Sequence, residues 1–225
     1  MKKILLLIAI LGCNSMFSQA TITKQLGDFD KLKVYNGIEL ELIQSDEQKI
    51  EIIGEKAEKV KVKNNNGTLK ITLKFPDLYA DGKVHAKLYY NKEVKVIDAN
   101  EGAVIIGRNI NQTQLVVNSQ EGAFINLEVK TRHLRVKASS GGIIKLEGSA
   151  KNQDIDVNLY GIYHGYGLNT TDKASIRAGS GAKAEVAIVK TLYAKVSFGG
   201  SIFYKGNPEV IKDKKTAGGI IKKVD

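Results

Sequence analysis

Short runs of alternating apolar and polar residues fill the first third of the chain after its N-terminus. Ile38, Leu40 and Leu42 alternate with Glu39 and Glu41. The same alternation recurs in four later runs, at Ile50–Ile52, Val60–Val62, Leu69–Leu73 and Val84–Leu88. Turn-forming pairs such as Asn-Gly and Asp-Gly separate the runs. Because successive side chains of a strand point to opposite faces, this pattern predicts about five or six half-buried β-strands.

From Val94 to Tyr204 one short pattern returns at a nearly constant interval. Each repeat contains a glycine, and these glycines are Gly102, Gly122, Gly141, Gly161, Gly181 and Gly199. The residue five positions earlier is mostly apolar: Ile97, Val117, Val136, Asp156, Ile176 and Ala194. The residue three positions earlier is mostly small: Ala99, Ser119, Ala138, Asn158, Ala178 and Val196. The Gly161 unit departs from the pattern, and a shift of one residue restores it as Ile155, Val157 and Leu159.

A period of about 20 residues is typical of a solenoid, in which each unit buries its apolar side by stacking on its neighbours. The sequence therefore predicts an all-β fold, a right-handed parallel β-helix whose N-terminal strands form its first coils or a cap. We expect one domain over residues 21–225. The C-terminal Gly218-Gly219-Ile220-Ile221 copies Gly141-Gly142-Ile143-Ile144. It predicts a closing strand or cap, with a basic interaction tail as the alternative.

Lysine and arginine outnumber aspartate and glutamate by 34 to 24, a net charge of +10. Loss of a leader containing Lys2 and Lys3 would leave +8 on the mature chain. The positive residues are spread along alternating strands, which is typical of a solvated face and of edges protected by lysine. Adhesion to an acidic glycan or an anionic surface is the alternative. Nucleic acid is not an expected partner, because the chain carries an export signal.

The export signal is the clearest local motif. Met1-Lys2-Lys3 is a short basic region, Ile4–Leu11 is an apolar run, and Ser18-Gln19-Ala20 offers small residues for a signal peptidase. We predict a signal peptide over residues 1–20. The only cysteine, Cys13, follows Ile10-Leu11-Gly12. That arrangement also resembles a lipoprotein processing box, so lipidation at Cys13 is the alternative. The predicted locations are the periplasm, the outer-membrane surface or the medium, with no integral membrane span.

The order of these motifs resembles that of a known family. Phe29–Val34, Asn36–Leu42 and Lys49–Gly54 are similar to the opening of head GIN domain proteins, and Gly67–Ile71 and Ala99–Val104 look like later parts of the same domain. These are exported proteins, frequent in Bacteroidetes, described as "putative autotransporter adhesins" (domain of unknown function 2807). The resemblance covers roughly residues 29–205. It implies a β-helix-like fold and an envelope location, and it carries over no catalytic residue.

Paired carboxylates are of interest because parallel β-helices often act on polysaccharides. Glu101 and Glu121 occupy equivalent places in consecutive units, and two such carboxylates could hold Ca²⁺ or raise one pKa. The next equivalents are Ser140 and Tyr160, which interrupts the ladder and favours a solvated turn pair. Arg108, Lys130 and Lys145 complete no acid–base set.

The three histidines, His85, His133 and His164, lack metal-binding spacing, and no nucleotide-binding or nucleophile motif is present. The sequence therefore predicts no metal site, no cofactor and no catalytic residue.

One segment departs from the repeat in composition. Tyr160, Tyr163, His164 and Tyr166 cluster in the unit that loses its register. If exposed, they form a candidate interaction patch for a sugar face or a protein. The alternative is a bulge whose aromatic rings cover an enlarged coil.

These observations together predict a non-enzymatic, exported solenoid that acts as an adhesin or as a structural or interaction module. Its expected partner is a surface glycan or an envelope protein, and self-association is left open. The alternative function is that of a carbohydrate-binding or polysaccharide-processing β-helix.

Overall fold

The computed structural model describes residues 21–225, so the predicted signal peptide and Cys13 lie outside the described residues. Seventeen strands make up nearly all of the regular structure. The nine N-terminal strands are β1 (Thr21–Gln25), β2 (Lys31–Val34), β3 (Glu39–Gln44), β4 (Lys49–Ile53), β5 (Val60–Asn65), β6 (Thr68–Leu73), β7 (His85–Tyr90), β8 (Val96–Ala99) and β9 (Val104–Gln120). The C-terminal strands are β10 (Phe124–Ser139), β11 (Ile143–Val157), β12 (Ile162–Ala178), β13 (Lys183–Ile188), β14 (Thr191–Ser197), β15 (Ser201–Lys205), β16 (Val210–Thr216) and β17 (Ile220–Lys223).

From β8 onwards the chain forms stacked coils joined by parallel pairing. The first residues after each turn pair with one another from coil to coil, in the order Val104, Phe124, Ile143, Ile162, Lys183, Ser201 and Ile220. Successive coils are therefore nearly equal in length, and the predicted parallel β-solenoid is confirmed. Each long strand of β9–β12 runs along a first face and then a second face. The shorter pairs β13–β14 and β15–β16 divide the same path between two strands.

The apolar positions of the repeat line the interior of the coils. Residues five positions before the turn glycine, such as Ile97, Val117 and Val136, are fully buried. The small residues three positions before it, such as Ala99 and Ala138, are buried as well. Valine fills the same position in other coils, at Val34, Val157 and Val196, so the position requires an apolar side chain and accepts a larger one than alanine. The outward positions between them are polar over much of the second face.

The N-terminal strands form the first coils and a cap, as predicted, but in an order that differs from the chain order. β2 and β3 pair in parallel with β8 and β9 on one side, and with β6 and β7 on the other. The coil formed by β2 and β3 therefore lies between two coils that come later in the sequence. Antiparallel pairing of β5 with β6, of β4 with β7 and of β1 with β4 closes this end.

At the other end, β16 and β17 pair in parallel with β14 and β15. The residues of β16 are exposed throughout, and most of Val210–Thr216 is charged. The prediction that the last residues form closing strands is confirmed. Charged residues on an edge strand disfavour addition of a further strand from another molecule.

Candidate functional site

Tight turns of one kind stack along a single edge of the solenoid, called here the turn edge. Each has two consecutive residues at positive φ and a hydrogen bond between its first and fourth residues, as in Asn100–Ala103, where the N···O distance is 3.0 Å. This is the type I′ turn, which favours glycine at its third position. Backbone N–H groups of one turn donate to carbonyls of the next turn at 2.8–3.2 Å. The turns are therefore held in line from Asn36–Gly37 to Phe198–Gly199.

Tyr160 occupies the position that glycine has in the other turns of this edge. Its φ is 62°, next to Leu159 at 46°, and the fourth residue of the turn is Gly161. The one-residue shift predicted for this unit is thus confirmed, since Ile155 and Val157 pair with Ile176 and Ala178. The left-handed conformation costs a side-chain-bearing residue about 1–2 kcal/mol. Tyr160 gains little burial in return, because 73% of it is exposed.

Three large apolar side chains stand exposed at left-handed turn positions: Leu159, Tyr160 and Phe198, called here the turn patch. The exposed fractions are 52% for Leu159 and 69% for Phe198. The intervening turn carries Gly181, and the ring of Tyr160 lies over it, so close that a Cβ on Gly181 would be 2.7 Å from Cε1 of the ring. The ring of Tyr160 thus reaches from its own turn towards that of Phe198.

The four residues of the predicted patch separate into different environments. His164 and Tyr166 point outwards from the first face of β12, where His164 Nδ1 lies 2.7 Å from Glu185 Oε2 and Lys205 Nζ lies 5.3 Å from the centre of the Tyr166 ring. Tyr163 is fully buried. Its grouping with the surface residues is therefore corrected: alternation along β12 turns its side chain into the core.

The interior around Tyr163 is an enlarged coil, as the alternative interpretation proposed. β12 contains bulges relative to β11 between His164 and Gly167 and between Thr170 and Lys173. The Tyr163 hydroxyl donates to Gln153 Oε1 at 2.7 Å, and Gln153 Nε2 donates to Thr170 Oγ1. Burial raises the pKa of Tyr163 far above its usual value, so the hydroxyl stays protonated. Gly165 leaves room for the ring.

The predicted carboxylate pair is placed on the turn edge. Glu101 and Glu121 lie at the second positions of adjacent turns. In the turn that contains Tyr160, the second position is held by Leu159. The expectation that Tyr160 is the equivalent of the two glutamates is therefore corrected. Glu101 Oε2 accepts a hydrogen bond of 2.7 Å from Asn36 Nδ2. Over residues 21–225, no three histidine, cysteine, aspartate or glutamate side chains are grouped so that they could share a metal ion. The arrangement of Glu101 and Glu121 is that of a solvated turn pair.

A charged groove on the first face was not predicted. It has a volume of about 710 Å³ and is lined by five charged side chains, those of Glu41, Arg108, Glu128, Lys145 and Glu147. Lys145 Nζ lies 2.7 Å from Glu147 Oε1. The hydrogen bond and charge of Lys145, with a smaller contribution from Arg108, lower the pKa of Glu147. The groove therefore presents an ionised carboxylate and polar groups, which suits hydrogen bonding to a polar ligand.

A bulge in β9 opens this groove. The pairing of β9 with β10 shifts between Leu127 and Val129, where β9 has one extra residue, and Asn109 adopts a φ of 57°. Asparagine tolerates this conformation better than most residues do. The sequence signal is the triplet Gly107-Arg108-Asn109, which interrupts an otherwise regular alternation.

Replacing Glu185 by glutamine is expected to reduce the acid sensitivity of the fold. Burial raises the pKa of Glu185, but hydrogen bonds from Lys183 and His164 outweigh burial and hold the pKa below its ordinary value of 4.5. When the pKa of a carboxyl is lower in the folded than in the unfolded protein, its ionisation stabilises the fold at every pH above the unfolded-state pKa. This stabilisation is lost as the pH falls through the lower, folded-state pKa. Thermal melts should therefore show a Tm of the wild type above that of Glu185→Gln at about pH 6, and this difference in Tm should become smaller as the pH is lowered to about 3. Glu128→Gln, on a side chain with no ion pair among the described residues, serves as the control. A wild-type advantage that stays constant with pH would contradict the assignment.

Among residues 21–225, no helix has the length and apolar character needed to cross a membrane. Comparison with curated proteins gave no match. Solved structures with the same fold include a "putative adhesin" from Bacteroides fragilis (TM-score 0.77, 16% identity, 92% of this chain and 97% of that one) and another from Parabacteroides merdae (0.70, 20%, 93% and 98%). A "putative lipid binding protein" from Parabacteroides distasonis is also similar (0.71, 17%, 93% and 98%).

At these identities the structural matches establish the fold alone. The family comparison goes further, because the model described as "Putative auto-transporter adhesin, head GIN domain" (DUF2807) matches residues 28–208, most of the chain. Strands β2 to β15 fall within that span. The chain belongs to the head GIN domain family.

Proposed function

We propose that this protein is exported to the cell envelope and acts there as a non-enzymatic adhesive module that binds a surface glycan or an envelope protein through its turn patch. The basic and apolar segments of residues 1–11 and the small residues at Ser18–Ala20 support export. The descriptions of the family and of the similar Bacteroides and Parabacteroides structures as adhesins support the adhesive role.

The observation that carries this proposal is the backbone conformation of the turn patch. Leu159, Tyr160 and Phe198 hold φ values of 46°, 62° and 48°, which are unfavourable for large side chains. Equivalent positions in the adjacent turns have Ser140, Ser180, Ala217 or glycine. Strain at exposed residues that gain little burial is typical of positions where the side chain serves binding. Exposed apolar groups gathered on one edge are likewise typical of an interaction surface.

The turn patch also has a suitable shape for adhesion. The aligned backbone of the turns holds it rigidly, because the N–H of Tyr160 donates to the carbonyl of Ser180 at 3.1 Å and the N–H of Gly181 donates to that of Phe198 at 3.2 Å. Neighbouring coils are about 4.8 Å apart, so the patch extends over roughly 10 Å. A rigid aromatic surface loses little conformational entropy on binding.

Replacing Tyr160 by glycine is expected to stabilise the fold and weaken adhesion at the same time. Relief of the left-handed strain should raise the free energy of unfolding by about 1 kcal/mol, which shifts Tm by roughly 2–4 °C. Retention of the protein on immobilised mucin and on a printed array of neutral glycans should fall, because the ring is lost. Thermal melts and surface binding of the same preparations give both quantities.

Glu121→Asn is the control, since it changes an exposed residue at positive φ in another turn of the turn edge, and asparagine accepts positive φ. It should leave retention unchanged. Equal retention of wild type and Tyr160→Gly would exclude Tyr160 as a contact. Failure of the wild type to bind mucin or any glycan on the array would count against the adhesive function.

The charged groove favours a second candidate, the binding or processing of a polysaccharide. Glycoside hydrolysis needs one carboxyl that stays protonated, with a raised pKa. The pKa of Glu147 is shifted in the opposite direction by Lys145. The groove is therefore better suited to binding sugar hydroxyls than to cleaving a glycosidic bond. Release of reducing ends from a polysaccharide panel, lost in Glu147→Gln, would favour the enzyme instead.

A further inference from the structure

The second face carries uncompensated positive charge in its C-terminal coils. One outward column, formed by paired residues of successive strands, has consecutive cations at both ends and mixed polar and charged residues between them: Lys63, Lys70, Lys33, Asp98, Asn118, Lys137, Asp156, Arg177, Lys195 and Lys214. Like charges directly opposite each other on neighbouring strands destabilise a sheet. Lys33 and Arg177 have carboxylate partners, but Lys195 and Lys214 at the C-terminal end face each other without one, and their pairing therefore needs a reason.

Ion pairing changes along the same face. Arg135 and Arg177 both bind Asp154, at 3.6 and 3.5 Å, and Arg177 also lies 3.5 Å from Asp156. These contacts neutralise the middle coils. In the described part of the chain, no carboxylate lies within 4.0 Å of the four lysines further along or beside this column: Lys173, Lys195, Lys212 and Lys214. Asp213 belongs to the same strand, but it pairs with the inward-facing Ala194, so its side chain is on the other side of the strand.

An aromatic ring lies among these lysines. Tyr193 is on the second face of β14, half-buried, with Lys173 Nζ at 4.7 Å and Lys212 Nζ at 5.6 Å from the centre of its ring. Together with Arg177, Lys195 and Lys214, Tyr193 lines a shallow groove of about 400 Å³. The lysines cover parts of the ring through cation–π contacts and can turn towards an anion.

Protection of a sheet edge does not account for the whole cluster. Lys212 and Lys214 are on β16, the last strand of the second face, where lysine blocks pairing with other molecules. Lys195 is on β14, which is paired on both sides, with β12 and with β16. Lys173 is on β12, further inside the sheet. Their positive charge is therefore available for another purpose.

We propose that this cluster is a binding site for a linear acidic polysaccharide. Carboxylate or sulfate groups of the polymer would lie along Lys195 and Lys214, which are about 4.8 Å apart from strand to strand, with the ion-paired Arg177 at the start of the row. A sugar ring would pack its C–H face on Tyr193. A row of charges with an aromatic ring in a groove fits an extended polymer of charged rings. The site is distinct from the turn patch, since it occupies the second face of the sheet and its ligand is held by charge.

The test is binding of the full chain to polygalacturonate, with neutral dextran as the uncharged polymer and phosphatidylglycerol vesicles as the anionic membrane. We expect wild type to bind polygalacturonate at low salt, with affinity that falls as salt rises, and not to bind dextran. The double variant Lys195→Gln/Lys214→Gln should lose roughly tenfold in affinity and show a shallower salt dependence. Tyr193→Leu should weaken binding without changing the salt dependence.

The control is Lys61→Gln/Lys63→Gln, which removes the same charge from β5 at the opposite end of the solenoid. It should bind as the wild type does, and Tyr160→Gly should do so too, which separates this site from the turn patch. Thermal melts verify that each variant is folded. The proposal is overturned if the Lys195/Lys214 variant binds polygalacturonate like the control, if wild type does not bind it at low salt, or if only the vesicles bind.

Discussion

Replacing Tyr163 by alanine is expected to lower the free energy of unfolding by about 3–5 kcal/mol. The ring is fully buried and fills the coil that the bulges of β12 enlarge. Its loss would leave a cavity and remove the hydroxyl that donates to Gln153 Oε1. Urea denaturation followed by circular dichroism measures the change.

Tyr163→Phe separates the two contributions. It keeps the ring and removes the hydroxyl, so it should cost about 1–3 kcal/mol, because Gln153 Oε1 loses a buried hydrogen-bond donor. The account of the enlarged coil would be wrong if the alanine variant were no less stable than the phenylalanine variant, since the ring would then contribute nothing by packing.

Replacing Gly148 by alanine is the second change with a large expected effect, about 2–5 kcal/mol of destabilisation. Gly148 has a φ of 105°, outside the region that side-chain-bearing residues favour. A Cβ there would also overlap the backbone carbonyl oxygen of Val129 in the neighbouring coil. The backbone of one of two stacked coils would have to move. Thermal or urea unfolding gives the size of the effect.

Gly122→Ala is the matched control for this change. Gly122 also has a positive φ, 71°, but a Cβ there would have no atom within 4 Å. It should cost about 1–2 kcal/mol, from conformation alone. If the two variants are equally destabilised, close contact between the coils does not limit the residue at position 148.

The repeat made the solenoid predictable from sequence. Residues such as Ile97, Val117 and Val136 recur at the spacing of one coil, and only stacking in register buries all of them. The unit around Gly161 was also predictable, because Ile155 and Val157 show that the turn begins one residue earlier. When the same one-residue shift is applied to the residues after Gly161, Tyr163 becomes equivalent to Ile144, which is buried. The position of Tyr163 in the core therefore follows from the same shift.

Other parts of the candidate sites could not be predicted. Alternation assigns each residue to a face but does not identify the partner strand, so the position of β2 between β6 and β8 required the structure. The charged groove depends on the positive φ of Asn109 and on the bulge it makes. The lysine cluster depends on the register between β12, β14 and β16, which places Arg177, Lys195 and Lys214 side by side.

The unusual order of the N-terminal coils bears on how the molecule folds. Lys31 pairs with Val96, which lies more than three coil lengths further along the chain, whereas each later coil pairs with the coil that directly follows it. Compared with closing a loop of one coil, loop-closure entropy alone adds about 1 kcal/mol to the cost of pairing β2 with β8. A nascent chain that ends before Thr68 also lacks both parallel partners of β2 and β3. The part of the domain that is synthesised first is thus favoured to fold last, onto coils that already exist.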